Sequence, residues 1–129
     1  MPGKESAPRS GKELQQKVVE LAEKLGLKAE TEVTAARRLW GAKRRIDVVL
    51  VHKRTGKNLG IECKYQATSG SAEEKIPATI KDIESWPIPG IVVIEGKGFS
   101  SNMQGYLMST GKVVWFDDLE DWLRLYFAL

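Results

Sequence analysis

Cysteine and histidine are almost missing from this chain, with one of each among 129 residues. The lone Cys63 excludes an intrachain disulfide and a cysteine zinc cluster, and it leads us to expect a reduced, cytoplasmic setting. The lone His52 makes a histidine-rich metal site or Ser-His-Asp chemistry a poor candidate. Any metal would be held mainly by oxygen, which favours magnesium, calcium or manganese. Long apolar runs are missing too. None approaches the roughly 20 residues that span a bilayer, so no membrane partner is expected. The opening Met1-Pro2-Gly3-Lys4-Glu5-Ser6-Ala7-Pro8 lacks the apolar stretch of a secretory signal and reads as a flexible arm.

What remains is the composition of a soluble globular protein, 42% hydrophobic and 29% charged. The length suits one domain, expected over residues 12–129 behind an arm of residues 1–11. A net charge of +3 and a pI near 9.0 are weak signs of a nucleic-acid partner. The distribution of charge says more. Arg37, Arg38, Lys43, Arg44 and Arg45 lie close together and can neutralise several phosphates; a solvated arginine-rich loop would look the same.

Apolar spacing predicts a helix from Lys12 to Leu25, with Gly26 as its stop. A short strand is expected at Ala29 to Thr34. The β-branched run Ile46 to His52 predicts a second strand, and Leu59 to Gln66 a third, the last two forming a hairpin around Thr55-Gly56. Ser71-Ala72-Glu73-Glu74 has the form of a capping box opening a helix to about Ser85. The apolar Ile91-Val92-Val93-Ile94 predicts a strand buried on both faces. A helix over 100–110, a strand from Lys112 to Phe116 and a final amphipathic helix after Asp117 complete the chain. The order α-β-β-β-α-β-α-β-α implies one domain, a mixed sheet with helices on both faces. Trp86, Trp115 and Trp122 read as core.

Residues two apart on a strand share a face. Glu62, Lys64 and Gln66 therefore point one way, and Ile61, Cys63 and Tyr65 the other. Asp47, Val49 and Val51 share a face opposite Ile46, Val48 and Leu50. A turn centred on Thr55-Gly56 places Asp47 across from Lys64 and Val49 across from Glu62, so Asp47 and Glu62 become diagonal neighbours. An ionised Asp47 in so apolar a strand needs a cation or several donors to offset its desolvation. An ordinary Asp–Lys cross-strand pair would also satisfy the pattern.

The run Arg45-Ile46-Asp47, followed by Gly60-Ile61-Glu62-Cys63-Lys64-Tyr65-Gln66, resembles the active-site signature of the PD-(D/E)XK nuclease superfamily, with Ile46 in place of the proline. That superfamily includes many restriction endonucleases, Holliday junction resolvases and repair or transposition nucleases. Its common core matches the element order from about residue 12 to 95. The resemblance implies an α/β fold with a restriction-endonuclease-like core and a magnesium-dependent endonuclease acting on DNA, manganese being a possible substitute. By position it makes Asp47 and Glu62 magnesium ligands, with the backbone carbonyl of Cys63 as a third. Lys64 would orient or help deprotonate the attacking water and stabilise charge on the scissile phosphate.

Many members of the superfamily add a Glu from the first helix. Gln15 falls inside the apolar arc of that helix, whereas Glu13 and Glu20 lie well off it. Gln15 thus occupies about the place of the family Glu, one negative charge short, or else is simply a polar residue at the edge of a core face. Gln66 extends the Glu62–Lys64 face, to hold a water or phosphate or to make a structural hydrogen bond. Lys75 points towards DNA or into solvent, the second being commoner. His52 is incidental on this reading.

Cutting both strands with one site per chain favours a homodimer, and the apolar run Trp122 to Leu129 is either its seam or a well-buried last helix. With no separate recognition domain, specificity must come from loops, dimerisation or a partner protein. Two other functions compete: a non-catalytic nucleic-acid-binding module that keeps the nuclease fold, and a structural protein whose hairpin carries a cross-strand ion pair.

Overall fold

The computed structural model describes residues 10–37, 43–66 and 72–129. Helix α1 spans Gly11–Lys24, and the Ser10 hydroxyl caps it by accepting the Glu13 N–H at 3.0 Å. Ser10 and Gly11, counted with the expected arm of residues 1–11, belong to the helix start, and the rest of that stretch lies outside the described residues. Gly26, at φ +86, turns the chain out of α1. Strands β1 (Lys28–Arg37), β2 (Lys43–Val51) and β3 (Asn58–Tyr65) follow, then α2 (Ala72–Glu84) and β4 (Gly90–Glu95). Helix α3 (Ser101–Thr110), β5 (Val113–Trp115), a 3₁₀ turn (Phe116–Asp118) and α4 (Leu119–Phe127) complete the chain. This is the order read from the sequence, with β1 longer than its apolar pattern suggested. Ser71 of the expected capping box lies outside the described residues.

The five strands form one mixed sheet in the order β1-β2-β3-β4-β5. The β1–β2 and β2–β3 pairs are antiparallel; β3–β4 and β4–β5 are parallel. Helices α1 and α4 cover one face. Leu14, Val18 and Ala22 of α1, with Leu119, Leu123 and Phe127 of α4, pack on Val48, Leu50, Leu59, Ile61 and Val93. Helices α2 and α3 cover the other, where Ile76, Ile80, Ile83 and Leu107 pack with Val49, Val92, Ile94 and Trp86. Each such aliphatic side chain contributes roughly 1.5–3 kcal/mol through burial, and together they hold the helices to the sheet. The apolar C-terminal run is thus largely spent on the core, although Leu125 remains 85% exposed. Trp86 is buried, while Trp115 and Trp122 are half-buried against the two cores. Among the described residues no helix is long and apolar enough to cross a membrane.

The hairpin register differs from the expectation by two residues. Val48 pairs with Ile61, Val49 with Gly60, Leu50 with Leu59 and Val51 with Asn58. The reason lies in the turn, which His52 and Lys57 close through the His52 N–H to the Lys57 carbonyl at 2.8 Å. His52 is not incidental. Its Nδ1 accepts the N–H groups of Arg54 and Thr55 at 3.1 and 3.2 Å, and Gly56 takes φ +78 to finish the loop. A shift of two keeps every side chain on its face, so the separation of faces survives although the partners change.

One residue does break the alternation. Ile46 packs with the α2–α3 core, while Val48, two residues on, packs with the α1–α4 core. On β1, Val33 opposite Ile46 lies on the α2–α3 side as well. Both strands of this ribbon reverse their faces at one level, between Ile46 and Val48.

Candidate active site

Asp47 stands at that reversal. The β2–β3 ladder ends at Val48–Ile61, and one residue further Asp47 comes opposite Glu62. It does not come opposite Lys64, and the expected diagonal between the two acids becomes a direct pairing. The Cys63 N–H, which in a continued ladder would meet the β2 backbone, instead donates to Asp47 Oδ2 at 2.9 Å. In return the Asp47 N–H bonds to the Glu62 carboxylate. Each acid thus satisfies a main-chain donor freed by the parting of the strands. A strand residue's N–H and C=O point to the same neighbour, so the Cys63 carbonyl faces the same gap.

These contacts do not make the acids comfortable. Burial, followed by the nearby Asp47 charge, pushes Glu62 up to about 7, against the pull of Lys64 and the Asp47 N–H. Burial also raises Asp47; the Cys63 N–H and Lys64 oppose it, and Glu32 adds to it. Among the described residues, the buried Glu62 Oε1 has no hydrogen-bond partner. Lys64 is half-buried and attracts both acids, yet among the described residues it closes no direct ion pair with either. The Cys63 thiol is buried and held well above its ordinary value, by burial first and then by the two carboxylates. It stays protonated and inert.

A cleft of about 730 Å³ opens over Asp47, lined by Lys12 and Gln15 of α1, Thr31 and Glu32 of β1, Arg45 and Cys63. Gln15 therefore shares the cleft with Asp47. Gln66 does not join it. Of its two readings the structural hydrogen bond is present: the buried side chain donates from Nε2 to the Gly98 carbonyl at 2.8 Å, and its main chain bonds to Glu95 and Gly98. Gly96, at φ +114, lies so close to the Gln66 carbonyl that no Cβ would fit. This latch anchors the end of β3 to β4. Of the basic positions, Arg45 is exposed at the cleft, and Arg37 pairs in register with Lys43, next to Ala36 with Arg44. Arg38, and the side chains of Arg37, Lys43, Arg44 and Lys75, lie outside the described residues.

Sequence reasoning missed Glu32. The β1–β2 register places it directly across from Asp47, between the pairs Thr31–Val48 and Val33–Ile46. Three acids thus fall at one level of the register on three adjacent strands, without their side chains converging on one point. Nothing local in the sequence marks Glu32; only the pairing of β1 with β2 does.

The donor set fits a hard divalent cation: carboxylate oxygens, one of them an orphaned buried atom, beside a main-chain carbonyl. Among the described residues no three His, Cys, Asp or Glu side chains gather closely enough to hold a metal by themselves. A cation would therefore rest on Asp47 and Glu62 together with main-chain oxygen and water.

Comparison with known proteins bears on the family and the fold. The family model of the PD-(D/E)XK nuclease superfamily domain matches residues 6–113. A crystal structure of a protein of unknown function, AF1548, shares the fold at a TM-score of 0.55 and 23% identity. The likeness covers 79% of this chain and 56% of that one, so this chain spans little more than half of that neighbour. No curated protein sequence matches this chain significantly.

Proposed function

This chain belongs to the PD-(D/E)XK nuclease superfamily, and from that membership we propose that it is a magnesium-dependent endonuclease that hydrolyses DNA phosphodiester bonds. The observation that carries the reading is the meeting of Asp47 and Glu62 just beyond the last β2–β3 pair, where Glu62 Oε1 is buried and, among the described residues, accepts no hydrogen bond. A divalent cation held there would supply Lewis-acid chemistry, polarising the scissile phosphate and lowering the pKa of water. Asp47, Glu62 and the Cys63 carbonyl are the groups that would hold it, and manganese would meet the same demands as magnesium.

The chain's own groups do the rest. Among the described residues no direct ion pair engages Lys64, so its ammonium orients the attacking water and offsets charge gathering on the phosphate. Gln15, in the cleft with Asp47, offers an amide to position water. Arg45 at the cleft and the basic positions Arg37, Lys43 and Arg44 neutralise flanking phosphates along the β1–β2 ribbon, with Arg38 and Lys75 as further candidates. Cutting both strands calls for two such sites, which a homodimer supplies, and sequence specificity falls to loops, the dimer or a partner protein.

Nicking of supercoiled plasmid with magnesium, manganese or EDTA, run on wild type and Asp47→Ala, tests the reading. The expected result is cation-dependent nicking by wild type alone. Equal cleavage by both proteins would refute the site.

A further inference from the structure

Glu32 is out of place by every local criterion. It lies in a strand, yet its φ of +53 belongs to the left-handed region, where a glycine would sit at no cost. The side chain is exposed and lines the cleft over Asp47. Lys12 and Arg45 line the same cleft, yet among the described residues Glu32 forms no ion pair with them. Its charge is felt by Asp47 and by Glu62, and it disfavours ionisation of both. Without a cation this third carboxylate only adds repulsion to a site that burial already opposes. A divalent cation reverses the sign of its effect, because each added negative charge then attracts.

Independently, the buried Glu62 Oε1, which accepts no hydrogen bond among the described residues, offers a cation a second carboxylate ligand next to Asp47. The first helix, meanwhile, brings a neutral amide to the cleft, Gln15, and no carboxylate. We propose that Glu32 is the third acidic group of the cation site, acting across the cleft to raise affinity for a divalent cation where Gln15 contributes no charge. Glu32 stands apart from the two ligating acids and works through its field and through intervening water. It is a positioning residue for the cation. The inference rests on the nuclease reading of the same site.

Calorimetric titration of the full chain with manganese alone, without DNA, tests it. The variants are Glu32→Gln, Glu32→Gly, Glu32→Asp and Asp47→Asn, each with its melting temperature measured in EDTA. Removing the charge should weaken manganese binding about tenfold, as is usual for groups just beyond the ligands. The melting temperature in EDTA should hold or rise, since repulsion is relieved. Glycine suits the backbone at this position, so Glu32→Gly is folded even if Glu32→Gln is not. Glu32→Asp should keep most of the affinity, and Asp47→Asn should lose it. Wild-type affinity in both uncharged variants, with loss in Asp47→Asn, overturns the role of Glu32 and leaves the nuclease reading standing. Failure of wild type to bind manganese at all overturns both.

Discussion

The two ends of the β2–β3 hairpin are built from the same strands and do opposite things. At the turn, Val51–Asn58 through Val48–Ile61 form an unbroken ladder, and His52 accepts the loop's N–H groups. Backbone groups there pair with backbone, and Leu50, Leu59 and Ile61 fill the core. At the other end the ladder stops, and main-chain donors go to Asp47 and Glu62 instead. One end spends its residues on stability. The other holds two half-buried acids that folding alone disfavours, and this is the kind of cost that a binding site carries.

That contrast can be broken from either side. The largest effect is expected at the regular end. Leu50→Ala should cost roughly 2–5 kcal/mol in urea denaturation, because the side chain is fully buried between sheet and helices. Gly60→Ala should cost roughly 1–3 kcal/mol, since a Cβ there would stand 2.7 Å from the buried Trp86 ring.

At the other end the sign should reverse. Glu62 has an ordinary value of 4.5 and is raised to about 7 in the fold. Between those pH values the folded chain keeps a proton that the unfolded chain has released, so stability falls as pH rises through this window. Below pH 4.5 the carboxyl subtracts nothing; above 7 its full penalty is present. Glu62→Gln should therefore be more stable than wild type in EDTA at about pH 8, by on the order of 2 kcal/mol, with no difference at about pH 4. Denaturation curves at the two pH values check it, and a penalty equal at both would remove the electrostatic explanation. The smallest effect belongs to the turn. His52→Ala should cost about 1 kcal/mol, the worth of the loop hydrogen bonds it accepts, with cleavage unchanged.

The sequence revealed the parts that depend on alternation and periodicity. All nine elements, the two covered faces and the separation of Glu62 and Lys64 from Cys63 follow from apolar spacing along single strands and helices. The pairing of strands was legible only up to a shift of two, because His52 rather than Thr55-Gly56 sets the loop. Glu32 and the opposite facing of Ile46 and Val48 were not legible at all. Both arise where two strands reverse together, a property of the pair that neither strand carries alone. Gln66 misled for a related reason: it follows the face of Glu62 in sequence, but β3 ends before it and its amide turns to Gly98.

Lys64 offers the sharpest measurement, since it borders the acids without being consumed by them. DNA binding and magnesium-dependent plasmid nicking should be followed on wild type and Lys64→Ala from the same preparation. If the parted end of the hairpin is a nuclease centre, the variant binds DNA with the same salt dependence as wild type and does not nick it. Nicking at the wild-type rate by Lys64→Ala would contradict that, and binding lost in step with cleavage would make Lys64 a phosphate anchor.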